Sequence, residues 1–196
     1  MKKYFVILAI LLTTWVFFQH PKAHWQGQLA PTDPVKTSDD LPSPWPYKDF
    51  TITARAKYHI KAVIISKHHY WGAEIEDNLS SFDLALGWGA MSDAAIINQL
   101  EISQDGRWYN YHWNNSPPLA PSEIISHSSN NHIIAANQEV LDAVGHFKRY
   151  DVVDLKGYLV DVQSNKKDWN WHTSVSQYDS GGGACKLFWV TSAFTV

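Results

Sequence analysis

Cys185 follows Gly181-Gly182-Gly183 and Ala184, and it is the one cysteine among 196 residues. It has no partner for an intramolecular disulfide. A thiol becomes an attacking thiolate beside a base or a cation. Two imidazoles stand upstream in a polar stretch, His127 and His132, so the order along the chain is His before Cys. Asn130, Asn131 or Asn137 could orient either ring, and the glycines would let backbone N–H groups approach a substrate. Lys186 would add positive charge, although alternation along a strand points it to the opposite face. The competing expectation, which the sequence favours, is a small buried cysteine at the start of an apolar strand, where free thiols usually sit. Its alkylation would then be slow in the native chain.

Metal chemistry has weaker support. Zinc sites combine several His with Cys or carboxylate, and the chain has ten His, but His-Glu-x-x-His does not occur. His127 and His132 are five apart and do not share a helix face. Adjacent His68 and His69 would point apart on a strand. The expectation is no metal and no cofactor. The stretch 127–137 reads as a polar loop whose Ser and Asn side chains satisfy irregular backbone. A polar ligand pocket is the alternative, with Asn131, Asn137 and Trp88 as binding residues. Ser128 and Ser129 lack a Gly-x-Ser-x-Gly elbow. Gly87-Trp88-Gly89 lacks the Lys-Ser/Thr end of a phosphate loop.

The elements that must position these residues centre on 151–162, which is apolar at both parities and so reads as a strand covered on both faces. Gly157 interrupts it, implying a bend or a close backbone. Residues 51–66 predict one long or two short strands, and 79–86 a short helix capped by Ser80 or Ser81 and stopped at Gly87. A second helix is expected over 94–100, a turn at 104–106, and an alternating strand over 107–113. Asn137 caps a helix over 138–147. Strands at 169–176 and 185–194 close the chain. Short interleaved helices leave no room for parallel βαβ winding. The expected fold class is α+β: a mostly antiparallel bent sheet or small barrel with short helices packed at one side, preceded by an N-terminal hydrophobic helix.

Composition is that of a globular domain, 45% hydrophobic and 18% charged, and a net charge of −3 excludes the basic face of a nucleic-acid protein. Residues 1–20 read as a signal peptide or uncleaved membrane anchor. Lys2 and Lys3 precede the uncharged run 4–18, about 22 Å as a helix. The exit lacks a small-x-small cleavage site, which favours an anchor in the bacterial inner membrane with the remainder facing the periplasm or exterior. Secretion after cleavage is the alternative. Residues 21–48 carry six of the nine prolines and read as an extended tether, its stretch 24–44 dispensable for folding. Residues 49–196 form a single exported domain.

Four phrases support that picture: LALGWGAMSD at 84–93, HSSNNHIIAAN at 127–137, LKGYLV at 155–160, and GAC at 183–185 followed by Trp189-Val190. Together they resemble a group of uncharacterised bacterial envelope proteins with an N-terminal signal or anchor and one exported domain. The resemblance implies location and no activity. Some exported cell-wall transpeptidases also place His before Cys, but in a Ser-His/Arg-Gly-Cys phrase from which Gly-Gly-Ala-Cys-Lys departs. Two functions from different classes follow. The favoured one is a membrane-anchored, non-enzymatic envelope domain that binds a protein or cell-wall fragment. The other is a thiol-dependent hydrolase or transferase using Cys185 with His127 or His132.

Overall fold

A computed structural model describes residues 22–176, 178, 179, 181 and 184–196. Residues 1–20, expected as signal or anchor, lie outside them, as do two of the three glycines before Cys185. Among the described residues no helix is long and apolar enough to cross a membrane.

The chain is mixed α+β, mostly one bent sheet with a few short helices. Its longest strand is β3 (Phe50–His69), preceded by the short strands β1 (Val35–Thr37) and β2 (Trp45–Tyr47) that pair along it. Of the two expectations for 51–66, the single long strand is observed. The strand stays continuous because it bends at bulges. One extra residue, Arg55, stands opposite the Val160–Leu159 step of β8 (Val152–Ser164). The bulge turns the buried even-numbered residues of β3 from one face of the sheet to the other. Ile52 packs in one core, while Tyr58, Ile60 and Ala62 pack in another.

Beyond β3 come α1 (Ile75–Leu79), β4 (Phe82–Gly87), a 3₁₀ turn (Gly89–Ser92) and α2 (Ala94–Ile97). The hairpin β5 (Glu101–Asp105) and β6 (Trp108–His112) follows, then α3 (Pro121–Ser126), β7 (Ser128–Ala135) and α4 (Gln138–His146). After β8 come β9 (Asn170–Trp171) and β10 (Lys186–Thr195). β3 pairs with both β4 and β8, so the pairings run β3–β4–β7–β10–β8 and return to β3. All are antiparallel except β7 with β10. The largest core draws on all five of these strands and on Val140, Val144 and Phe147 from α4 and its end.

The central strand is β8. Val153, Leu155 and Leu159 enter the largest core, while Val160 and Val162 enter the second. Gly157 pairs with Tyr58 on one side and Val190 on the other, and a Cβ there would lie 1.9 Å from the Trp189 carbonyl oxygen. Asn137 caps α4, its side-chain oxygen accepting from Val140 N at 3.0 Å.

Three expectations are corrected. Residues 79–87 do not form a helix: α1 ends at Leu79 and Leu84-Ala85-Leu86 belongs to β4, buried at every position. Pairing with β3 and β7 on both edges overrides the helix propensity of Leu and Ala. Residues 127–137 are no loop, because 128–135 is the strand β7 between β4 and β10. The strand expected over 169–176 shortens to β9. Side chains take the ladder's place beyond it: Thr173 N donates to Asp161 and Leu187 N to Thr173 Oγ1.

Residues 22–48 are extended, as their prolines require, and lie against the domain. Trp25 Nε1 donates to Ser92 O at 3.0 Å, Ala30 N to Ser92 Oγ at 3.1 Å, and Trp88 Nε1 to Asp33 at 3.2 Å.

Candidate active site around Cys185

Three neighbouring strands, β4, β7 and β10, build the site. Asp83 on β4 stands in register with His132 on β7, and His132 in register with Leu187 on β10. Side chains two apart share a face, so Cys185, two residues before Leu187, comes to the same face as His132 and beside Asn130. The geometry agrees: Asn130 Nδ2 lies 3.8 Å from Cys185 Sγ.

His132 Nδ1 is 2.8 Å from Asp83 Oδ1, and Cys185 is near enough to the imidazole to act on its pKa, while the thiol lies 3.8 Å from Arg107 O. With Nδ1 committed to Asp83, Nε2 is the ring nitrogen left for other partners. Side-chain exposure is 0% for Asp83 and 3% for His132. Burial alone disfavours a charged imidazole and is the largest influence. The Asp83 hydrogen bond, the nearby Cys185 and the charges of both groups outweigh it, and the His132 pKa is raised to about 9. Trp171 covers the ring with centroids 4.6 Å apart.

A buried carboxylate needs its own partner. Arg107 supplies it, with Nη1 2.9 Å from Asp83 Oδ1 and Nη2 2.5 Å from Asp77 Oδ1. Arg107 reaches this place from a two-residue hairpin turn. Asp105 pairs with Trp108, and Gly106 and Arg107 between them have φ of +53° and +71°. Both signs are positive, as the hairpin turn that matches strand twist demands. Its guanidinium lies 3.6 Å from the centre of the Tyr70 ring, and its N–H donates to Tyr70 Oη at 3.0 Å. Asn130 is fixed as well. Its side-chain oxygen accepts from Gln104 at 2.8 Å, and Nδ2 donates to Arg107 O at 3.1 Å and faces Asp83 Oδ2 at 3.4 Å.

Cys185 is half-buried and lies where two cavities meet. One, of about 450 Å³, is walled by Trp88, Trp108, Tyr109, Tyr111, Trp113 and Ile125. The other, of about 570 Å³, is the polar one only by its ionisable groups Glu74, Glu76, Asp77, Arg107, His132 and His172, which are set among the rings of Tyr70, Trp108 and Trp171. Lys186 is buried, its ammonium 3.0 Å from Ser174 Oγ; burial first, then the charge of Lys36, bring its pKa down to about 8.

Of the residues picked from the sequence, Cys185, His132 and Asn130 converge. His127 does not join them. It ends α3 with Nδ1 2.9 Å from Glu123 O, and its ring packs so closely on Gly89 that a Cβ there would sit 2.4 Å away. Asn131 is fully buried and bonds to Leu84 O and Ser129 on the opposite face of β7. Asn137 is used in the α4 cap. Trp88 lines the aromatic cavity. Asp83 and Arg107 escaped the sequence reading. Asp83 carried a signal, as the one charge in the otherwise apolar run 82–87; Arg107, a turn residue, carried none. Among the described residues no group of three or more His, Cys, Asp or Glu side chains could hold a metal ion. No family model, no curated protein and no solved structure matches this chain, so its reading rests on the geometry around Cys185.

Proposed function

We propose that this chain is a cysteine-dependent acyl hydrolase or transferase, with Cys185 as nucleophile, His132 as its acid–base partner and Asp83 as the positioning carboxylate. The observation that carries the reading is the line Cys185–His132–Asp83 on three adjacent strands, with Asp83 held in turn by Arg107. Nucleophile, base and orienting group in that order are what thiol catalysis needs. An imidazolium beside sulfur favours the thiolate. A non-enzymatic binding domain gives a buried carboxylate–imidazole pair at a half-buried thiol no task.

The steps follow from the geometry. Cys185 Sγ attacks a carbonyl carbon, forming a C–S bond. The developing oxyanion needs a donor beside the sulfur, and Asn130 Nδ2 is the side-chain group placed for it. As the bond to the leaving group breaks, His132 gives that group its proton, leaving a thioester on Cys185. Water or another acceptor then loses a proton to His132 and attacks the thioester. The C–S bond breaks, and the thiolate–imidazolium pair is restored. Asp83 holds the imidazole in place throughout and is itself held by Arg107, whose Nη1 is 2.9 Å from its Oδ1. The layout of residues 2–18 supports a membrane-held location with this domain outside the cytoplasm.

The test uses p-nitrophenyl acetate with the full chain, followed by intact mass and peptide mapping. One equivalent of p-nitrophenolate should be released with an acetyl group on Cys185. Cys185→Ala should abolish this, and His132→Gln should slow it about 100-fold, the usual contribution of a positioned acid–base group. Native circular dichroism with no adduct on Cys185 would sink the proposal.

A further inference from the structure

The two cavities meet at Cys185, but His132 lines only one of them. Its imidazole faces the polar cavity, with Arg107, Glu74, Glu76 and His172, and is absent from the aromatic lining. In acyl transfer through a thiolate, the acid must reach the leaving atom. The leaving group therefore belongs on the polar side. The acyl chain, attached to the same carbonyl carbon, projects the other way, into the space walled by Trp88, Tyr109, Tyr111 and Trp113. Trp108 lines both cavities and stands as the partition between them. A volume of about 450 Å³ lies in the range of small-ligand sites.

Resting on the catalytic reading above, we infer that the aromatic cavity receives the apolar acyl group of the substrate while the polar cavity receives its leaving group and then the acceptor. The rings of the first cavity suit the acyl chain, although Ser128, Ser129, Asn130, Asp179 and Lys186 complete its wall. Rigid rings offer apolar area at little entropic cost. Burying each methylene there gains about 0.8 kcal/mol, roughly fourfold in affinity. The polar cavity instead offers carboxylates, an arginine and an imidazole, suited to a polar leaving group.

Alkyl methanethiosulfonates test this directly, because they place their tail on Cys185 Sγ itself, as an acyl group would be. The rate with the octyl reagent is divided by that with the methyl reagent, and the same ratio is taken for free cysteine. The full chain should exceed free cysteine at least tenfold. Asn110→Trp, an exposed β6 residue at the aromatic cavity, should fill the space and remove the preference. Glu74→Trp, an exposed residue at the polar cavity, should leave it intact. A ratio equal to that of free cysteine overturns the inference without need of any variant. So does a preference lost in Glu74→Trp but kept in Asn110→Trp. These reagents modify ordinary thiols too, so a strong tail preference with no acetyl transfer would support the cavity assignment while the catalytic reading falls alone.

Discussion

Replacing Cys185 by Ser isolates the proton on His132. The imidazole pKa stands at about 9 in the folded chain against the usual 6.5. The folded state therefore holds a proton that the unfolded state releases above pH 6.5. The stabilisation is fully present below pH 6.5 and is lost as pH rises through about 9. At 3% exposure no solvent discount applies to the ring. The whole window corresponds to about 3 kcal/mol, and roughly half of it falls between pH 6.5 and 8. In the wild-type chain the proton on His132 can come from Cys185 itself. Folded and unfolded states then hold equal numbers, and the slope flattens. Cys185→Ser has no thiol to give, so a slope should appear, reduced from the full window because the part of the rise that Cys185 supplies is gone while the Asp83 part remains. Urea unfolding at pH 6.5, 7.0, 7.5 and 8.0 reads it, with Cys185→Ser/His132→Gln as the reference. Lys186, brought down to about 8, titrates with the opposite sign above that pH and cancels in the difference. His69, lowered by burial first, is the same in both chains and cancels likewise. A flat difference over this range would show that Asp83 does not hold a proton on His132. An equal slope in the wild-type chain would keep the thiol neutral and count against a thiolate nucleophile.

Two further outcomes concern the scaffold. Gly157→Val places side-chain atoms against the Trp189 carbonyl, where a Cβ alone would lie 1.9 Å from the oxygen. It should lower the urea midpoint by an amount corresponding to about 3 kcal/mol, the upper end for overpacking, and an unchanged midpoint would mean that β8 and β10 part freely. A chain starting at Trp45 loses the β1 ladder and the Trp25 and Ala30 bonds to Ser92, and should be less stable by at least about 2 kcal/mol at roughly 1 kcal/mol per hydrogen bond. Equal stability of the two chains would restore residues 24–44 to the role of a free tether.

Periodicity made the framework legible. Alternation gave β3 its inward residues, two-sided apolarity identified β8 as central, and Asn137 announced α4. Each of these depends on neighbours within a few residues. The paired partners do not, and so the parallel match of β7 to β10 and the return of β8 to β3 had no local sign.

The stretches misread are informative because of what they carry. Residues 79–87 read as a helix with an acidic first turn, and hold Asp83 in a buried strand. Residues 107–113 read as a strand after a turn at 104–106, and Arg107 instead belongs to the turn, at φ +71°. Residues 127–137 read as a polar loop, and hold Asn130 and His132 in the middle of the sheet. In each case local rules place polar residues at the surface or in turns, since an isolated buried charge is costly. That cost falls only when the partners arrive together from distant segments, as Asp83, Arg107, His132 and Asn130 do here. A chain whose local preferences conflict with its fold at one place marks that place as chosen for something other than stability. All three conflicts here lie around Cys185, with Asn130 Nδ2 and Arg107 O each 3.8 Å from its sulfur, and the proposed chemistry would give them a common use.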